Sequence, residues 1–173
     1  MVADNINQIK ENMQKIIVER TINAPKKVVW EKLSDIGNVY IFNPMVERSA
    51  LVGEQSCGVG TKRTCALGEE SGMKGHLEEE VIDWDEGESL TIRINSGPMP
   101  TKLMALTFAL KEVAPNRTNI KAIVEYQMKW GLMGKLMGVM MKPQLNSMVT
   151  KIYLGLEKHI QTGEEITAKT ALG

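Results

Sequence analysis

The apolar residues of this chain change period once, and that change restricts the architecture more than any single motif. Six alternating or apolar runs, at 46–52, 61–67, 72–84, 89–95, 103–113 and 117–129, read as successive strands. Turn residues divide them: Gly58-Val59-Gly60, Gly68 to Gly72, Asp85-Glu86-Gly87, Gly97-Pro98-Met99-Pro100 and Pro115-Asn116. The last run is the clearest. Thr118, Ile120, Ala122, Val124, Tyr126 and Met128 fall on one face, and Asn119, Lys121, Glu125, Gln127 and Lys129 on the other, with Ile123 the exception. Period two at this length means an antiparallel strand with one face buried. Met104, Leu106, Phe108 and Leu110 repeat the pattern one strand earlier.

Beyond Trp130 the spacing becomes helical. Leu132, Leu136, Met140, Leu145, Met148, Val149, Ile152, Leu156 and Ile160 recur at intervals that form one stripe on a helix. A helix over 131–161 would be ~45 Å long. Pro143 is predicted to kink or divide it, and Gly163 to cap its end.

The first 45 residues add one strand and two small helices. Residues 1–14 read as a polar extension, frayed or briefly helical. A strand follows at 15–23, with Ile16, Val18, Arg20 and Ile22 alternating. Asn23 is predicted to cap a helix that starts at Pro25, where proline loses nothing by lacking an N–H. That helix carries Val28, Val29 and Leu33 and ends near Asp35, before Gly37; a second, at 38–42, stops at Asn43-Pro44. Seven antiparallel strands and one long helix have one solution, an α+β arrangement in which the sheet curves around the C-terminal helix. The domain is expected over 15–162, with a flexible tail at 163–173.

Composition narrows the function. Lys plus Arg number 21 and so do Asp plus Glu, so no net field draws nucleic acid or an anionic surface to the whole molecule. Cys57 and Cys65 make neither a disulfide framework nor a metal site, which fits a reduced cytoplasm. No secretion signal is read at the N-terminus, and no run approaches the ~18 apolar residues of a membrane span. Gly134 and Gly138 form a Gly-x-x-x-Gly pair, but Lys135 between them argues for close packing on a strand or ligand rather than a membrane dimer. The expectation is a cytoplasmic protein with no integral membrane association, no nucleic-acid partner, no metal and no cofactor. The sequence carries no signal of oligomeric state.

Three segments resemble one family. The run from Glu19 through Asn23-Ala24-Pro25 to Asn43-Pro44 is similar to the opening of the START-like (SRPBCC) superfamily, in its polyketide cyclase/dehydrase and lipid-transport branch. Gly58-Val59-Gly60-Thr61-Lys62-Arg63 resembles that superfamily's Gly-x-Gly-x-x-Arg turn and strand. No helix follows it, so it is not a dinucleotide or phosphate loop. Glu79-Glu80-Val81-Ile82-Asp83-Trp84 resembles the family's Glu-Arg-Val-x-x-Trp run, with Glu80 where the family has Arg. That departure argues against an inter-strand ion pair at Glu80. The resemblance spans roughly 15–162 and implies the helix-grip fold, with an internal cavity for a hydrophobic ligand.

Alternation then sorts the candidate residues. Arg63 shares a strand face with Cys65 and Leu67, and Glu79 shares one with Leu77 and Val81; both faces read as inner. An inward Arg63 and Glu79 are costly unless paired. They either fix strand register as an ion pair or anchor and orient a polar group of the ligand. Tyr126 either donates its hydroxyl to the ligand or places its ring in the core. Phe108 and Met128 face inward on neighbouring strands. Tyr40 and Asn43 lie where the resemblance puts the cavity mouth. Met137 and Met141, with Met133, Met140 and Met148, form either an adaptable cavity wall or ordinary core filling. His76 has outward parity and His159 sits at a helix end, and neither is assigned chemistry.

The leading expectation is binding or transport of a hydrophobic small molecule: a lipid, isoprenoid, quinone or aromatic polyketide-like compound. The alternative is a polyketide aromatase/cyclase or dehydratase, in which Arg63 polarises a carbonyl and Tyr126 or Glu79 moves a proton. A third reading is a protein-interaction module, which requires an exposed apolar patch and a cavity filled by side chains.

Overall fold

The computed structural model describes residues 13–172. Its strands are β1 Gln14–Ile22, β2 Val46–Val52, β3 Lys62–Leu67, β4 His76–Asp85, β5 Ser89–Ser96, β6 Thr101–Ala114 and β7 Arg117–Met128. β2 to β7 pair antiparallel in sequence order, and β1 adds beside β7, giving the order β1-β7-β6-β5-β4-β3-β2. Ile16 lies opposite Val124, and Ile22 opposite Thr118. The inward residues of β7 are all buried, as period two requires. β4 begins later than its apolar pattern predicts. Gly72 and Gly75 hold φ of 67° and 121°, left-handed values that keep the chain in a turn until His76.

The helices are α1, Lys26–Leu33, a 3-10 segment at Ile36–Ile41, and α2, Gly131–Thr162. One local expectation is corrected and another is narrowed. Asn23 does not cap α1, which starts behind Pro25 without a side-chain cap. Its backbone N–H and side-chain Nδ2 instead donate to Glu157 Oε1 at 3.2 Å each, while Arg20 reaches Glu157 Oε2 at 3.2 Å. A tertiary carboxylate on α2 outcompetes the local cap. Likewise Pro143 does not divide α2, which continues through it. Pro143 and Val139, whose carbonyl loses its helical donor, both reach the surface, so water can satisfy the freed group.

α2 lies against the sheet through Leu145, Val149, Ile152, Tyr153 and Leu156, all buried. Tyr153 donates its hydroxyl to the Val18 carbonyl at 2.9 Å, and its ring meets Phe108 edge-on at 6.4 Å. Trp30 of α1 and Trp84 of β4 pack edge-to-face at 5.1 Å, and their indole N–H groups share the Glu86 carboxylate. Ile166 is buried, and its N–H donates to the Ile41 carbonyl at 2.9 Å. Residues 1–12 of the expected N-terminal extension lie outside the described residues.

Gly155 permits the closest approach of α2 to the 3-10 segment. A Cβ there would lie 2.2 Å from the Phe42 carbonyl oxygen, a backbone atom that cannot swing aside. Gly155→Ala is therefore expected to destabilise the domain by roughly 1–3 kcal/mol, although alanine is the better helix former. Urea denaturation checks this, and an unchanged or raised midpoint would overturn the packing argument.

Candidate functional site

The inner face of the sheet and α2 do not meet everywhere. Between them lies a cavity of about 100 Å³. Its walls are apolar side chains from β4, β5, β6 and α2, among them Leu77, Ile92, Leu106, Phe108, Leu145 and Val149. Leu67, Met73, Ile94, Met99 and Met148 line it while remaining partly exposed, so they mark its solvent end. Arg63, Glu79 and Asn43 are the polar residues among the lining.

These three are held by neighbours. Arg63 and Glu79 are directly opposite across the β3–β4 ladder. Arg63 Nε donates to Glu79 Oε2 at 2.5 Å, and Nη1 donates to the Ile36 carbonyl at 3.2 Å. Cys65 Sγ donates to the same Oε2 at 3.4 Å. Asn43 accepts the Met45 N–H on Oδ1 at 3.1 Å. Glu79 Oε1 and Asn43 Nδ2 take no hydrogen-bond partner among the described residues, and Arg63 has more N–H groups than its bonds to Glu79, Ile36 and Cys65 use. The cavity is thus an apolar space with unused hydrogen-bonding capacity on its polar lining residues.

The electrostatics follow from burial. Desolvation opposes the charge on Arg63, but Glu79 and Cys65 outweigh it and hold the guanidinium above its ordinary pKa. Burial, reinforced by the Glu79 carboxylate, pushes the Cys65 thiol up to about 12. Cys65 is therefore an inert thiol supporting the pair, not a nucleophile. Glu80 departs from expectation. It accepts from Asn95 Nδ2 at 3.2 Å and from Arg93 Nη2 on β5 at 2.8 Å, which lower its pKa. The inter-strand ion pair persists here with the cation on the neighbouring strand.

Of the residues singled out from sequence, Asn43, Arg63, Leu77, Glu79 and Phe108 line the cavity. Cys65 lies behind the pair, and Tyr40 packs on the core outside the lining. Tyr126 is fully buried but donates its hydroxyl to the Gly138 carbonyl at 2.6 Å. It ties β7 to α2 and is not on the cavity wall. Met128 lines a separate groove. The methionine expectation is redistributed: Met133, Met137 and Met140 are exposed, and Met141 packs on the core without lining the cavity. Met148 does line it, joined by Met45, Met73, Met99 and Met104 from strands and loops. Sequence reasoning missed these four because turn and strand methionines carry no helical stripe. The solvent-end position of the 97–100 turn was the available signal.

Comparison with known proteins agrees with the fold. The model of the family described as polyketide cyclase / dehydrase and lipid transport matches residues 13–161, and the chain belongs to that family. A protein of Thermus thermophilus is similar at 18% identity, with a TM-score of 0.70 over 87% of this chain and 99% of that one. The Zhui aromatase/cyclase of Streptomyces sp. R1128 is similar at 12% identity, with a TM-score of 0.68 over 87% and 98%. A Nitrosospira multiformis protein is similar at 14% identity, with a TM-score of 0.68 over 87% and 98%. These TM-scores show a shared fold. No curated protein matches the sequence.

Two outcomes test the site's chemistry. A thiol reagent at about pH 8, near the ordinary thiol pKa, should label exposed Cys57 and leave Cys65 untouched in the folded protein; rapid labelling of both would overturn the buried arrangement. Arg63→Ala should cost about 3–5 kcal/mol by stranding the Glu79 carboxylate. Arg63→Leu combined with Glu79→Leu should restore most of that loss, read as the denaturation midpoint of the double variant against each single one.

Proposed function

We propose that this protein binds a hydrophobic small molecule in the cavity between sheet and α2. The ligand's apolar body lies against Phe108, Leu106 and the methionines, and one oxygen-bearing end meets Arg63, Glu79 and Asn43. The observation that carries the reading is the unused hydrogen-bonding capacity of those three residues beside an otherwise apolar cavity. Ligand sites commonly combine apolar walls with a few convergent polar groups. An apolar cavity of about 150 Å³ holds a benzene-sized guest. At about 100 Å³ this one is smaller, so any ligand larger than a single ring requires its walls to move. Met45, Met73, Met99, Met104 and Met148 supply that movement, because methionine repacks at low cost. A lipid, isoprenoid, quinone or aromatic polyketide-like compound with a terminal carbonyl, carboxylate or phenolate suits both features.

Membership of a family that includes cyclases keeps a catalytic reading in view. Within the lining, Glu79 is the residue able to exchange a proton, while the Tyr126 hydroxyl is spent on Gly138.

Native mass spectrometry of gently purified protein, with thermal shifts against lipids, quinones and polyphenols, tests the proposal. A bound small molecule, or a stabilising ligand whose affinity falls at least about tenfold in the Arg63→Leu/Glu79→Leu variant while Tm is retained, is the expected result. Undiminished affinity in that variant would remove Arg63 and Glu79 from the ligand's polar contact. No stabilisation by any class would overturn the binding reading.

A further inference from the structure

α2 changes character along its length. From Gln144 to Lys151 its outward residues, Gln144, Ser147 and Lys151, are polar. Before Pro143 they are, apart from Lys135, apolar: Leu132, Met133, Leu136, Val139 and Met140 all stand exposed, Leu132 at 87% and Met140 at 74%. At about 3.6 residues per turn these side chains centre on the side of the helix opposite Gly134, Gly138 and Leu145, which face the protein. Trp130, just before the helix, is 62% exposed and held at φ 69°, a left-handed value uncommon for a bulky residue. A contiguous exposed apolar surface of this kind marks a docking face.

Charge identifies what it docks to. Residues 126–156 contain Lys129, Lys135, Lys142 and Lys151 and no Asp or Glu. Lys102, Lys129 and Lys135 line one groove with Trp130 and Leu132, and no carboxylate lines it. Among the described residues none of these three lysines is paired with an acid. A two-fold contact between copies through this face would set lysine against lysine with no carboxylate to relieve it. The surface therefore combines an aromatic anchor, a broad apolar arc and unpaired cations, although the molecule as a whole is neutral.

We propose that this face docks on an anionic lipid bilayer. Trp130, Leu132, Leu136 and Met140 enter the boundary between headgroups and acyl chains, and Lys102, Lys129 and Lys135 meet the phosphates. The helix lies on the membrane and does not cross it, since no helix among the described residues is long and apolar enough to span. Ile94 and Met99, at the solvent end of the cavity, share a recess with Lys102 and Lys129. Docking thus places the cavity's open end beside the lipid. The docking stands on the surface alone; its use in exchanging a ligand with the bilayer rests on the binding reading above.

Flotation of the ligand-free protein with vesicles tests it. Vesicles of phosphatidylcholine containing about 30% phosphatidylserine should carry the protein upward and shift its tryptophan emission to the blue, and both effects should fade with added salt. Leu132→Ser/Leu136→Ser/Met140→Ser should lower the partition coefficient at least about tenfold with unchanged Tm, because all three side chains are exposed. Lys102→Gln and Lys129→Gln should each lower it about fivefold on anionic vesicles. Ligand-induced thermal shifts should survive in the serine variant, which separates failure of docking from failure of the cavity reading. Absence of flotation at low salt would overturn the proposal. So would a wild-type dimer in light scattering that the serine variant dissolves while vesicles carry neither form, which would make the face an interface between copies. Equal flotation of wild type and serine variant would equally overturn it.

Discussion

One helix presents one apolar stripe, and a stripe covers only part of the inner face of seven strands. Leu145, Val149, Ile152 and Leu156 fill the contact that α2 makes with the sheet. Tyr153 and Glu157 then pin the helix to the first strand and to the turn after it. Once those bonds fix its height, the space beside Phe108, Leu106 and Ile92 is left to whatever the remaining side chains can fill. The cavity follows from this mismatch in area, and the methionines around it are the residues best able to vary how much of it is open.

The Arg63–Glu79 pair has a double character for the same reason. Buried charges persist when they are paired and their other valences are satisfied. Here Ile36 and Cys65 satisfy some of them. A purely structural pair would be expected to close its remaining bonds onto the backbone. Both side chains reach the cavity wall, so the pairing of β3 with β4 and the polar lining of the cavity rest on the same two residues.

The same economy shows at the other end of α2. Gly134 and Gly138 bring its first turns close to β1 and β7, where a Cβ on Gly138 would strike the Gln14 side chain. With two small residues making the inward contact, the apolar content of those turns points outward. Trp130, Leu132 and Met140 are thus exposed by the way the helix seats, and a neighbouring lysine cluster completes the surface.

Local periodicity, a property of consecutive residues, made the strands, the long helix and the inward parity of Arg63, Glu79, Leu77 and Phe108 legible in the sequence. Strand alternation cannot say where a hydroxyl ends. Tyr126 faces inward as its parity requires, yet it spends its hydroxyl on Gly138 because α2 passes directly over it. Asn23 bonds to Glu157 rather than to its own helix, and Ile166 returns to Ile41, because partners more than a hundred residues away in sequence arrive only with the tertiary fold. The sequence by itself determined the order and approximate extent of the strands and the long helix and which side of each strand is buried, since steric period and hydrophobicity act within a few residues. Only the tertiary structure decided which inward residues border empty space, which methionines line it and which face of α2 remains uncovered, because these depend on how far apart packed elements come to rest.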